Sequence, residues 1–172
     1  MAVFKCKMCG GDLDVVDGMS VAECEYCGTK QTLPKLDEEQ KSNLYDRAGH
    51  FRRSNDYDKA MSIYTNALDI AGKNKLNNLI GYTYDYIGDL YREKFMRTEA
   101  IKRYEIAAEY FKKEKNTDSY ACALRDIGRE YAQMDSLSHA LNILIIANSV
   151  AANTSNINVT ASINNALGNI YS

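Results

Sequence analysis

The chain has no tryptophan, one proline (Pro34) and two histidines among its 172 residues. So little proline argues against an all-β sandwich strung together by turns. His50 and His139 stand apart from each other, which leaves no His/carboxylate constellation for acid–base or nucleophilic chemistry. Glycine-rich phosphate loops and nucleophile elbows are missing too. The longest apolar stretch, Leu141 to Ala152, is broken by asparagine and serine well short of a membrane span. The opening Met-Ala-Val-Phe-Lys-Cys lacks the apolar core of a secretory signal. Net charge is −2, so no basic excess is available for nucleic acid or acidic membranes. Together these absences predict a non-enzymatic, cytoplasmic protein in a compartment that keeps thiols reduced.

What is present divides near Pro34. Residues 1–40 carry four lysines against eight acids, net −4, whereas residues 41–172 carry 17 basic and 15 acidic residues, net +2. The first part holds Cys6-Lys-Met-Cys9-Gly and Cys24-Glu-Tyr-Cys27-Gly, two C-x-x-C pairs separated by fourteen residues. Tetrahedral zinc takes four thiolates at about 2.3 Å, and two such turns complete that shell. Gly10 and Gly28 supply the left-handed residue that each knuckle needs. Asp12 to Val16 alternates polar and apolar residues, Asp17-Gly18 is a hairpin signal, Ser20 to Cys24 reads as the returning strand, and Lys30 to Leu33 as a third.

About thirty residues bury too little apolar area to fold alone, so one structural Zn²⁺ held by Cys6, Cys9, Cys24 and Cys27 is expected to supply the missing stability. Four thiolates close the sphere and leave no position for a reacting water. A rubredoxin-like iron site resembles the knuckles but carries a longer spacer, and a redox C-x-x-C lacks its βαβ setting. Zinc ribbons that bind nucleic acid are similar in their knuckles, but zinc with four thiolates adds −2 to a segment already at −4.

From residue 41 the chain repeats at a spacing of forty. Ala48, Gly88, Gly128 and Gly168 form one column, and Phe51, Tyr91, Tyr131 and Tyr171 another. Ala60, Ala100 and Ala140, then Tyr64, Tyr104 and Leu144, then Ala67, Ala107 and Ala147 keep the same register. Leu44/Ala48/Phe51 and Tyr84/Ile87/Gly88/Tyr91 are helical stripes, giving a helix A. Breaks at Ser54-Asn55, Glu93-Lys94 and Met134-Asp135 separate it from a helix B in which small residues flank one large one.

These residues resemble the tetratricopeptide repeat (TPR), and Asn55-Asp-Tyr-Asp-Lys-Ala-Met-Ser-Ile-Tyr-Thr-Asn-Ala-Leu is the closest stretch. The unit is forty residues long instead of thirty-four, which is similar to the longer repeats of bacterial regulators and some animal adaptors. The family's proline after helix B is missing, with Gly72 as the nearest substitute. The resemblance implies a mainly α fold: a right-handed α-α superhelix of TPR-like helix pairs preceded by a small β zinc ribbon. The implied boundaries are a ribbon at 1–34, a linker at 35–40, and repeats at 41–80, 81–120 and 121–160 with a partial fourth at 161–172.

It also implies an adaptor or scaffold that binds a protein or peptide through helix A positions clear of the core. Those positions read Ser42, Tyr45, Gly49, Arg52; Tyr82, Asp85, Asp89, Arg92; and Cys122, Arg125, Arg129, Ala132, with Asn165 and Asn169 continuing the row. Tyr45, Arg52, Tyr82, Arg92, Arg125 and Arg129 are the candidate partner-binding residues; the arginines suit an acidic peptide unless Asp85, Asp89 and Asp126 neutralise them. Cys122 reads as a small helix residue. Two other readings remain: an N-terminal regulatory part of a longer signalling protein, and a nucleic-acid-associated zinc ribbon. Because Gly168 and Tyr171 keep the repeat register, the last segment is expected either to cap the array or to continue into a further helix B.

Overall fold

The computed structural model describes residues 4–13, 21–32 and 38–171. Two compact units are present, Met1–Ile70 and Ala71–Ser172.

In the first unit, β1 (Phe4–Lys5) pairs antiparallel with β2 (Asp12–Leu13), and β3 (Val21–Glu23) with β4 (Lys30–Thr32). Each pair straddles one C-x-x-C, so a knuckle closes each hairpin. That corrects the expected strand order: Ser20 to Cys24 does not return against Asp12 to Val16, because among the described residues β3 pairs with β4. The Asp17-Gly18 turn, Pro34 and residues 35–37 of the expected linker lie outside the described residues. Helix α1 (Glu38–Arg53) follows, then α2 (Tyr57–Lys73). Ala48, Ala60, Tyr64 and Ala67 are all buried there, with Tyr45 leaning on Tyr64 at 6.3 Å between ring centres.

The second unit is helical: α3 (Asn77–Glu93), α4 (Arg97–Lys113), α5 (Thr117–Gln133), α6 (Leu137–Ala151) and α7 (Ile157–Tyr171). Helices α3 and α4 form one pair and α5 and α6 the next, while α7 lies against α5 and α6. Mainly helical architecture with TPR-like pairs is therefore the fold. Seventeen-residue helices joined by three-residue turns give a beat of twenty, half the sequence repeat.

The turns share one backbone device. Asn55, Lys75, Phe95, Lys115 and Asp135 all have positive φ, between 54° and 60°. The next residue in each case donates its N–H back to a carbonyl five positions earlier, as Met96 does to Tyr91 at 2.9 Å and Asn116 to Phe111 at 2.9 Å. This is a Schellman closure, which normally uses glycine because a side chain in that conformation costs about 1–2 kcal/mol. Gly72 is not the stop signal it resembles in sequence. It lies inside α2, and Lys75 holds the left-handed position. Glu93, expected in a break, is the last residue of α3.

Within each pair the columns become contacts. A methyl group added at Gly88 would sit 2.5 Å from the Tyr104 ring, and one at Gly128 would sit 2.7 Å from Leu144 Cγ. The large residue of helix B thus rests on bare backbone of helix A, with Ala100 and Ala107, or Ala140 and Ala147, fully buried beside it. The Tyr91 and Tyr131 column is only half-buried: Arg103 lies over the Tyr91 ring at 5.6 Å and His139 stacks on Tyr131 at 5.6 Å. At Gly168 an added methyl meets nothing within 4 Å.

Two alanine substitutions should therefore diverge. Gly128→Ala is expected to lower stability by about 1–3 kcal/mol, the cost of overpacking a filled site. Gly168→Ala should raise it by up to about 1 kcal/mol, since only helix propensity changes. Denaturant melts of both variants check this, and a Gly128→Ala protein as stable as the parent would contradict the packing described.

Candidate metal centre and partner-binding face

Both knuckles are built the same way. Cys6 donates its N–H to Gly11 O at 2.8 Å and Gly10 donates to Cys6 O at 2.9 Å; Cys24 donates to Thr29 O at 3.0 Å and Gly28 to Cys24 O at 2.8 Å. Gly10 and Gly28 take φ of 75° and 67°, where a β-carbon would be strained. Lys7 N–H donates to Gln31 Oε1 at 2.8 Å, and the Tyr26 ring covers Gly11, so the two turns hold each other face to face.

The result gathers four sulfurs within 4.8 Å of one another. Cys6 and Cys27 Sγ are 3.6 Å apart, and Cys9 and Cys24 Sγ are 3.5 Å apart. A tetrahedral ion with thiolates at about 2.3 Å separates its sulfurs by about 3.8 Å, so the donor set fits such an ion. Cys6 and Cys24 are buried, while Cys9 and Cys27 are exposed. The Thr29 hydroxyl, 3.2 Å from Cys27 Sγ, and the Thr29 backbone N–H draw the Cys27 thiol down to about 6. At Cys9 the Gly11 amide pulls down, but hydrogen bonding with the Cys24 and Cys27 thiols prevails and pushes the thiol up to about 12.

In the second unit, the helix A positions singled out in sequence do share one face. Tyr82 stacks edge-on against Phe111 of α4 at 4.9 Å, and its hydroxyl accepts from Asn116 Nδ2 at 3.1 Å and Ser119 Oγ at 3.0 Å. Arg92 pairs with Asp89 at 2.9 Å, and Tyr104 OH donates to the same Asp89 oxygen at 2.9 Å. Arg125 grips Asp126 with two parallel bonds, Nε to Oδ1 at 3.1 Å and Nη2 to Oδ2 at 2.7 Å, and reaches Ser162 Oγ of α7 at 3.0 Å. Arg129 approaches Asp126 at only 3.7 Å and stays 56% exposed. In the first unit Tyr45 packs on Tyr64, and Arg52 is half-buried. The Ser42 side chain lies outside the described residues.

The arginine row is thus largely self-neutralised, the alternative the sequence left open. Arg125 is a folding residue as much as a surface one. Removing it would leave Asp126, 7% exposed, with only Arg129 at 3.7 Å as a charge partner. One buried acid has no signal in the sequence: Glu130, 2% exposed, is held by Arg97 at 2.9 Å across thirty-three residues. No local sequence pattern marks that pair.

Asp85 differs from both neighbours. Among the described residues no salt bridge or hydrogen bond engages it, and burial, then Asp126 and Asp89, raise its carboxyl to about 7 against the pull of Arg125 and Arg92. Well below pH 3.8, folded and unfolded chains both hold the proton. Between there and about 7 only the folded chain keeps it, so this group's contribution to stability falls as pH rises through that window and levels off above it. Asp85→Asn should melt with the parent near pH 4 and be more stable at pH 7 and above, on the order of 1–4 kcal/mol. Thermal melts across pH 4–8 test the sign, and a variant less stable at pH 8 would refute it.

Comparison with known proteins then places the fold. The family model described as soluble NSF attachment protein, SNAP, matches residues 21–165. No curated protein matches the chain. Among solved structures, the apo form of RapI superposes with a TM-score of 0.68 at 20% identity, over 78% of this chain; that is 37% of RapI, so the chain spans little more than a third of it. The N-terminal domain of stress-induced protein-1 from C. elegans gives 0.58 at 16% identity, over 75% of this chain and 95% of that one. The first TPR of Spaghetti (RPAP3), bound to the HSP90 peptide SRMEEVD, gives 0.54 at 16% identity, over 80% and 98%. The matching family is thus SNAP, while the solved neighbours carry the TPR fold that the sequence resembles.

Proposed function

The chain belongs to the soluble NSF attachment protein (SNAP) family, and from that premise we propose that it is a non-enzymatic adaptor that binds a protein or peptide across its helix A face. The observation that carries the reading is the polar strip on α3 and α5, where Tyr82, Asp85, Arg92 and Arg129 stand clear of the buried columns on rigid helices. A face built this way offers donors and acceptors without moving the core. Two supports come from relatives: the family is named for attachment to a partner, and one fold neighbour was solved with a bound peptide. The four cysteines serve as a structural zinc site that staples the small β segment, in keeping with a closed, all-thiolate sphere. No helix among the described residues is long and apolar enough to cross a membrane, and the reading retains the cytoplasm.

The structure narrows how a carboxylate on an acidic partner would be held. Arg92 and Arg125 are engaged by Asp89 and Asp126, so Arg129 is the arginine best able to turn outward. Arg129→Ala should change stability by less than about 0.5 kcal/mol, as exposed substitutions usually do. Partner capture from the source cell should weaken for this variant and with added salt. A partner retained by Arg129→Ala and indifferent to salt would refute the assignment.

Elemental analysis should find one zinc per chain, and a Cys24→Ser variant should lose it. Helical circular dichroism should survive in that variant, because repeat helices depend mainly on their neighbours. Iron in place of zinc, or metal content near zero in freshly purified protein, would defeat the zinc reading.

A further inference from the structure

The cysteine cluster offers chemistry beyond holding an ion. Burial divides its four sulfurs evenly: Cys6 and Cys24 are buried, whereas Cys9 and Cys27 are exposed. The sulfur contacts at 3.6 Å and 3.5 Å, Cys6 with Cys27 and Cys9 with Cys24, both cross from one knuckle to the other. Each contact therefore sets one exposed sulfur against one buried sulfur. The partners stand 21 and 15 residues apart in the chain, so the fold makes these contacts and the C-x-x-C spacing does not.

That is the arrangement of a thiol that reacts beside a thiol that resolves. A redox-active cysteine needs access to its oxidant and a second cysteine within reach of the oxidised sulfur. Cys27 and Cys9 have the access, and Cys6 and Cys24 stand behind them. Each pair has to close by about 1.5 Å to reach the disulfide length of about 2.05 Å. The fifth cysteine has no such partner: Cys122 lies half-buried on α5, in the other unit, where its sulfur meets Arg125 Nη1 at 3.8 Å.

We propose that the cluster is a site of oxidation by hydroperoxides, in which Cys27 pairs with Cys6 and Cys9 with Cys24, giving two disulfides that tie the knuckles together as the ion leaves. The exposed thiolate attacks the peroxide: an S–O bond forms, the O–O bond breaks and hydroxide departs, leaving a sulfenic acid. The buried thiolate then attacks that sulfur, so the S–S bond forms as the S–O bond breaks and a second hydroxide leaves. Two thiolates have given two electrons to the peroxide, and two protons from solvent turn the hydroxides into water. A disulfide sulfur is no longer a thiolate ligand, so the two rounds together release the ion. Crossed pairing keeps the knuckles face to face without metal, whereas a bond within each C-x-x-C would join neither knuckle to the other. Zinc enters only as the released ion, on the structural-zinc reading above; the pairing stands on the sulfur geometry.

The test uses the full chain as Cys122→Ser, which keeps the four clustered thiols. Bound zinc is measured first, and hydrogen peroxide is then added while a chromophoric chelator reads zinc release. Disulfides are mapped by mass spectrometry, without reduction, after digestion with trypsin and a glutamate-specific protease. Lys7 separates Cys6 from Cys9, and Glu23 and Glu25 isolate Cys24, so every pairing gives a distinct linked peptide. The expected result is one zinc released for every two disulfides, with Cys6–Cys27 and Cys9–Cys24 in the map and full reversal by dithiothreitol. Protein that carries no zinc at the start defeats the zinc reading, and the map then decides the pairing by itself. Bonds within either C-x-x-C, or Cys6–Cys24 with Cys9–Cys27, overturn the proposal. So do sulfinic or sulfonic acids in place of disulfides, or thiols left intact by a peroxide dose that fully oxidises free cysteine.

Discussion

A large side chain of one helix pressed against the bare backbone of its neighbour governs the geometry of the second unit. Tyr104 over Gly88 and Leu144 over Gly128 bring the axes close enough for Ala100, Ala107, Ala140 and Ala147 to vanish from solvent. The contact is steric before it is energetic. A ring or isobutyl group fills the only gap that two closely packed helices leave, so the position must be large, its flanks small, and its opposite number almost nothing. Once that is fixed on both pairs, the helices keep one separation and successive pairs can stack alike. Tyr104 adds a polar function to the same lock by donating its hydroxyl to Asp89, which in turn holds Arg92. Packing in the core therefore reaches directly into the polar face.

That lock was legible in the sequence because it is written in residue size at fixed spacing. The columns at 88/128 and at 104/144 carry it whatever the surface does. The turns were not legible. A left-handed residue occurs every twenty positions, yet Lys75, Phe95 and Lys115 have none of the side chains that prefer that conformation. The helix lock imposes the turn: two seventeen-residue helices whose contacts are set along their length leave three residues to reverse the chain, and a Schellman closure does that for whichever residue falls there. Phe95, 80% exposed, shows tertiary packing overruling local preference. The same logic explains why Gly72, a plausible stop by composition, ends up within a helix.

The polar face was legible in outline and not in wiring. Counting helix positions identified the arginines and aspartates that share it, since that follows from period alone. Which acid each arginine takes depends on rotamers and on neighbours from other helices. Arg125 takes Asp126, the adjacent residue, and bridges to Ser162 on α7; Arg97 takes Glu130 from another helix pair. The Arg97–Glu130 pairing leaves no local trace, whereas Arg92 and Arg125 take the nearby acids Asp89 and Asp126, so the row becomes a mostly balanced network with Asp85 left over. Buried charge pairs of this kind do little for net stability but penalise any arrangement that separates them. Across helices, Arg97 with Glu130 ties α4 to α5, and the Arg125 bond to Ser162 ties α5 to α7.

The small β segment obeys a different constraint. Four sulfurs are brought within 4.8 Å by two turns, and among the described residues a hydrogen bond from the Lys7 N–H to the Gln31 side chain and the Tyr26 ring on Gly11 help orient them. Sequence spacing was sufficient to single out the four cysteines that cluster because a C-x-x-C followed by glycine encodes its own knuckle. It was insufficient for the strand order, because the knuckle itself pairs the strands on either side and needs no long hairpin between the two C-x-x-C motifs. The helical unit is ordered by shape repeated along the chain, and the cysteine segment by convergence of four sulfurs on a point. The Gly–Tyr and Gly–Leu contacts lie wholly within the second unit, and the knuckles wholly within the first.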